Sequence, residues 1–163
     1  MKVAIISDTH GSFDNVIEEI EKHNIDLIIH LGDFSDDGRD IGLITNKISY
    51  VVKGNNDYLA NNELEDLFIN LNGIDFFITH GHRYNVYRGV GNLVKRAKKA
   101  NAKIALYGHT HVYFNEVVDG VWVINPGSPS YPRYGDDKSF VILDLDTMEL
   151  ERIKFRRSKW KLY

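Results

Sequence analysis

Short apolar runs that stop abruptly at polar or glycine-containing turns set the rhythm of this chain. Val3 to Ser7 is the first, with the look of a buried parallel strand, and it stops at Asp8-Thr9-His10-Gly11. Ser12 then offers an N-cap to a helix carrying Phe13, Val16, Ile17 and Ile20 on one face, with Asn24 as its stop. Ile25 to Leu31 is a second buried strand, stopping at Gly32-Asp33. Polar Asp36 to Asp40 reads as loop and Ile41 to Ile48 as a short helix. Tyr50-Val51-Val52 is a third strand, stopping at Gly54-Asn55-Asn56-Asp57, and Leu59 to Asp66 reads as irregular.

The second half changes pattern. Leu67 to Leu71 and Ile74 to Thr79 flank Asn72-Gly73, a strong hairpin signal because both turn residues tolerate positive φ. The second arm stops at His80-Gly81-His82-Arg83. Val90, Leu93, Val94 and Ala97 have helical spacing, with Lys95, Arg96, Lys98 and Lys99 on the wet face. A strand at 103–107 runs into Gly108-His109-Thr110-His111. Val112 to Val118 and Val121 to Ile124 flank Asp119-Gly120, a second hairpin, and Asn125-Pro126-Gly127-Ser128-Pro129 is a rigid turn-rich loop. Ser139 to Leu145 and Leu150 to Phe155 form a last strand pair around Asp146-Thr147, and the basic tail from Arg156 to Tyr163 is expected to fray. Strand–helix–strand units early and hairpins late predict an α/β chain of two packed sheets flanked by helices.

Composition narrows the chemistry. At 163 residues, 43% of them hydrophobic, residues 1–163 read as one domain able to bury a core. A formal net charge of −3 gives no reason to expect a polyanion as the main partner, and it counts against nucleic acid. The chain has no cysteine, which excludes disulfides, thiol nucleophiles and zinc–thiolate sites. Any metal must be held by His, Asp, Glu, Asn or water. Met1-Lys2 leads straight into the first strand, and no apolar run is long enough to span a membrane, so a soluble, cytoplasmic protein without membrane contact is expected. Nothing in the sequence fixes the oligomeric state.

Five strand ends carry polar groups: Asp8 with His10, Asp33, Asn55, His80, and His109 with His111. In open α/β sheets the carboxyl ends of the strands are where ligands bind. Four histidines, two aspartates and an asparagine exceed what one four-coordinate ion with an open position needs. They suit two divalent ions sharing a carboxylate, an arrangement that can hold a bridging hydroxide and clamp an in-line phosphoryl displacement. Mixed nitrogen and oxygen ligands without sulfur favour manganese, iron, zinc, cobalt or nickel; manganese is the first expectation. The alternative reading of the aspartates is turn capping, and that of Asn55 a plain turn residue.

The order Asp-x-His, Gly-Asp, Gly-Asn-x-Asp, His-Gly, Gly-His-Thr-His resembles the calcineurin-like metallophosphoesterase superfamily, from Asp8 to His111. Asn125-Pro126-Gly127-Ser128 is further similar to its small one-domain microbial phosphodiesterases. The resemblance implies a four-layer α-β-β-α sandwich with the site on loops above two sheets. It assigns Asp8, His10 and His111 to one ion, Asn55, His80 and His109 to the second, and Asp33 to both. Many relatives have a histidine where this chain has Asn56, and that histidine is thought to assist the leaving group. Asparagine cannot give up a proton usefully near neutral pH. A small phosphodiester with a good leaving group, such as an aryl ester, is therefore the expected substrate, ahead of an alkyl monoester.

Other groups have open roles. Asp57 orients a ligand or pins its loop, and His82 is a candidate substrate contact. His30 reads as a hydrogen-bonded core histidine and His23 as a helix-end surface group. Arg83, Arg88 and Arg133 can bind phosphate or be plain surface residues, and Tyr131 and Tyr134 can line a pocket or simply pack. Gly127-Ser128 offers N–H groups to an anion or closes a loop. Competing functions are a phosphomonoesterase, a nuclease, and a non-catalytic protein-binding scaffold of the same fold, as in a retromer subunit.

Overall fold

The computed structural model describes residues 1–60 and 62–155; the basic tail lies outside them. Among the described residues ten strands form two five-stranded sheets. The first has the order β10 (Glu149–Lys154), β9 (Ser139–Asp144), β1 (Lys2–Ile6), β2 (Leu27–His30), β3 (Ile48–Val51). The second has the order β4 (Asp66–Leu71), β5 (Ile74–Thr79), β6 (Ile104–Leu106), β8 (Val121–Pro126), β7 (Tyr113–Val118). Strands β1, β2 and β3 run parallel, as do β5, β6 and β8, so each sheet gathers its parallel carboxyl ends at one edge.

Period-two alternation builds the layers. Val3 and Ile5 of β1 and Leu27 and Ile29 of β2 face Phe76, Ile78, Ile104 and Leu106 of the other sheet. Their neighbours Ala4, Ile6 and Ile28 turn outward, against Val16 and Ile20 of α1 (Asp14–Lys22) and Ile41 of α2 (Ser35–Thr45). Across the second sheet, Phe77, Ala105 and Val123 meet Leu93, Val94 and Ala97 of α3 (Gly91–Lys99). The result is a four-layer α-β-β-α sandwich with its largest core between the sheets. Among the described residues no helix is long and apolar enough to cross a membrane.

The Asn72-Gly73 and Asp119-Gly120 hairpins form as expected, with φ of 51° and 82°, then 48° and 80°. Three local expectations fail. Asp36 to Asp40 is not loop but the first half of α2. Gly38 and Gly42 weaken its intrinsic propensity, yet they are what lets it lie close on the sheet: a Cβ at Gly38 would stand 2.6 Å from that of His30, and one at Gly42 2.7 Å from Ser49 Oγ. Ser12 does not cap α1; Phe13 holds that position without a side-chain bond. Asn125 and Pro126 end β8 rather than opening the loop, with Pro126 paired to Tyr113 on the edge strand β7.

Candidate metal centre

Each candidate ligand stands on a turn just past a strand. Asp8 and His10 follow β1, Asp33 follows β2, Asn55 follows β3, His80 follows β5, and His109 with His111 follow β6. Five of them adopt left-handed backbone: Asp8 (φ 57°), His10 (48°), Asp33 (55°), His109 (67°) and His111 (59°). Aspartate and histidine visit this region more readily than most residues, but each such site costs about 1–3 kcal/mol that surrounding structure must offset. The reversal turns the side chains off the strand line and inward.

Ligand atoms of Asp8, His10, Asp33 and His111 lie within 4.8 Å of one another. His111 Nε2 is 3.2 Å from Asp8 Oδ1 and 3.4 Å from His10 Nε2. His80 Nε2 is 3.4 Å from Asp33 Oδ1 and 3.2 Å from His109 Nδ1, which attaches the second histidine pair to the same cluster. Asn55 is exposed on the adjoining turn and makes no side-chain hydrogen bond among the described residues.

Backbone carbonyls fix two of the tautomers. His80 Nδ1 donates to Leu31 O at 2.8 Å, and His111 Nδ1 donates to Tyr131 O at 2.6 Å. A carbonyl only accepts, so the proton sits on Nδ1 and the Nε2 lone pair points into the cluster. Asp8 is wholly buried; its Oδ2 accepts from Ser7 Oγ (2.6 Å) and His109 N (3.0 Å), while Oδ1 has no donor among the described residues. An unpartnered buried carboxylate oxygen is costly, and inward lone pairs around it are what a divalent cation requires. The residues present therefore fit a metal.

Protonation leans the same way. Burial pulls His109 down to about 4, helped by neighbouring His80, and burial also lowers His10. Both rings stay neutral and available as ligands. Burial would lower His111 as well, but Asp8 beside it reverses the balance and raises it. Burial alone would raise Asp8; His111, His80 and Ser7 outweigh it and hold the carboxyl below its ordinary value. Without an ion, a proton on His111 is the natural partner of Asp8, so protons and metal compete there.

A second layer holds the turns. Ser128 Oγ and Ser130 Oγ donate to Asp8 O at 2.8 and 3.0 Å. Asp57 Oδ2 accepts from Asp33 N (2.9 Å) and Gly54 N (2.8 Å), and its Oδ1 accepts from Ser35 N (2.8 Å) at the start of α2. His30, fully buried, accepts at Nδ1 from Gly32 N (3.3 Å) and so donates from Nε2 to Thr9 Oγ1 (3.1 Å), tying the first two ligand turns together. Asn56 contacts Asp33 rather than open space: its N reaches Oδ1 at 3.0 Å and its Nδ2 reaches Oδ2 at 2.6 Å. The His82 ring lies 5.5 Å from that of His80, with a buried Nδ1 that has no partner among the described residues.

Of the three arginines, Arg83 is paired with Glu65 at 2.6 Å, whereas Arg133 donates to the hydroxyl of Tyr87, which in turn donates to His109 O at 3.0 Å. The rings of Phe34 and Tyr131 stand 5.2 and 5.7 Å from His10, and Tyr87 stands 4.9 Å from His109. Ser130, Phe34 and Tyr87 have no signal in the sequence that sets them apart. Ser128 closes a loop through its hydroxyl and its carbonyl, the latter accepting from Ser139 N at 3.0 Å.

Known proteins resemble this chain in sequence and fold. Residues 1–148 match the calcineurin-like phosphoesterase superfamily domain. The probable metallophosphoesterase YsnB of Bacillus subtilis is 34% identical over 148 residues, which cover 90% of this chain and 85% of that protein. A solved archaeal phosphodiesterase has 29% identity and a TM-score of 0.78 over 95% of this chain and 100% of its own. Vps29 of Entamoeba histolytica, solved with zinc, has a TM-score of 0.77 over 96% of this chain and 100% of its own, but at 22% identity that likeness is one of fold alone. The domain match runs through every one of the ligand-bearing turns, and with a relative aligned along most of its length it leaves one conclusion: this chain belongs to the calcineurin-like phosphoesterase superfamily.

Proposed function

We propose that the chain is a metal-dependent phosphodiesterase that hydrolyses small diesters at a pair of divalent ions. The observation that carries the reading is Asp8 Oδ1, buried without a donor among the described residues and standing 3.2 Å from His111 Nε2. Asp8, His10 and His111 would hold one ion, Asn55, His80 and His109 the other, and Asp33 both. Bound there, the ions supply positive charge against the phosphoryl oxygens and a water nucleophile at neutral pH. Manganese suits the mixed nitrogen and oxygen donors, with nickel, cobalt, iron or zinc as alternatives.

The protein's own part is positioning. Leu31 O and Tyr131 O keep the ligand tautomers, and Asn56 steadies the carboxylate of Asp33. With its amide so engaged and no proton to give, Asn56 leaves departure to the leaving group itself, which favours aryl diesters over alkyl monoesters. The test is chelator-stripped protein on bis-p-nitrophenyl phosphate, with and without manganese, beside His109→Ala. Manganese-dependent turnover that the variant loses is expected. Folded protein inert with manganese, nickel, cobalt and zinc would overturn the reading and favour a protein-binding scaffold.

A further inference from the structure

Beside the metal centre lies a cavity of about 240 Å³ lined by Phe34, Asn56, Tyr58, Leu59 and Ala60, with the first turn of α2. Three features set it apart. It shares a wall with the centre: Phe34 packs against His10 on one side and lines the cavity on the other, while Asn56 lines it and bonds Asp33. Its walls are large apolar groups left in water, with Phe34, Tyr58 and Leu59 exposed to 45%, 78% and 92%. And Phe34 sits in left-handed backbone (φ 67°), a costly conformation for a bulky residue, which leaves its ring facing out instead of joining the core.

The charges there are already spoken for. The carboxylate of Asp57 is consumed by three backbone N–H groups, Asp36 is paired with Arg39, and no cation lines the cavity among the described residues. Nothing waits for a second phosphate. The volume is below the roughly 300–1,000 Å³ that holds a whole drug-sized ligand, but it is room for one ring system.

We infer that this cavity is the subsite for one uncharged aromatic arm of the diester, an aryl ring or a nucleoside base, held between Phe34 and Tyr58 while its phosphate lies at the centre. The inference rests on the diesterase reading for what the centre does, but the cavity can be tested apart from turnover.

Two readouts do so. In the first, KM for bis-p-nitrophenyl phosphate is measured in manganese-loaded wild type, Tyr58→Ala, Leu59→Ala and, as an exposed control outside the cavity lining, Leu43→Ala. Loss of one ring contact should raise KM about three- to tenfold in Tyr58→Ala, with Leu43→Ala unchanged. In the second, saturation-transfer NMR on metal-free protein compares diphenyl phosphate with dimethyl phosphate. The phenyl protons should receive saturation, less so in Tyr58→Ala, and the methyl protons should not. Turnover with KM unchanged in both cavity variants overturns the subsite and leaves the diesterase standing. Ring saturation without turnover upholds the subsite and sinks the diesterase. Equal saturation of both probes overturns the subsite whatever the turnover.

Discussion

Asp57→Asn is the sharpest probe of how the ligand turns are held. The carboxylate accepts three backbone N–H groups, from Asp33, Gly54 and Ser35, at 2.8–2.9 Å in a buried setting. An asparagine can place its oxygen where two of those donors converge, turning charge-assisted bonds into neutral ones at a cost of about 1 kcal/mol each. Its amide nitrogen then faces Ser35 N–H, donor against donor, which leaves a buried group unsatisfied for about 1–3 kcal/mol more. The sum is about 3–5 kcal/mol. Urea denaturation of metal-free protein should show it as a midpoint lowered by about 2 M at an unchanged slope. Manganese titration should weaken in parallel, because the bond that holds the left-handed backbone of Asp33 drops from a charge-assisted one to a neutral one. A midpoint shift under about 0.5 M, with manganese affinity intact, would refute this account of Asp57.

Three further outcomes follow from the geometry. Gly108→Ala would set a Cβ 2.8 Å from Asp8 Oδ2 and 3.0 Å from Ser7 Cβ, so thermal unfolding should show a loss of about 1–3 kcal/mol or more and calorimetry a weakened ion site. Burial holds His30 near 4 in the folded protein against about 6.5 unfolded, so as pH falls the unfolded chain takes the proton first. The stability this neutral ring protects is whole above about pH 6.5 and lost toward pH 4; at pH 4.5 wild type should have given up about 2–3 kcal/mol more than His30→Gln, read by denaturant midpoints at both pH values. Manganese at about a thousand times its dissociation constant should raise stability by about 4 kcal/mol, visible as a higher melting temperature that chelator or Asp8→Ala removes.

The sequence carries more of the centre than of its supports. Asp8, Asp33, His80, His109 and His111 are legible because strand ends are marked by a drop from apolar to polar, and the hairpins because Asn72-Gly73 and Asp119-Gly120 have few other uses. The first half of helix α2 is hidden because Asp36 to Asp40 is polar and holds Gly38, whose use is the close contact with His30. The grip of Ser128 and Ser130 on Asp8 O spans 120 and 122 residues, which no local pattern can reveal. His30 looks like a core histidine and is one, but which turns it joins depends on where its two ring nitrogens land.

The candidate ligands straddle the two sheets: Asp8, His10, Asp33 and Asn55 come from one, and His80, His109 and His111 from the other. An ion held among them is a clasp across the seam of the sandwich. Coupling between clasp and seam is reciprocal, so whatever the ion contributes against separation of the sheets, any loosening of their shared core subtracts from ion affinity by the same amount. Ile5, Ile78 and Leu106 are buried in the core shared by the two sheets, and their packing sets the spacing over which the clasp must close. The metal affinity of this protein is thus a gauge of packing deep between the sheets as much as of the donors themselves.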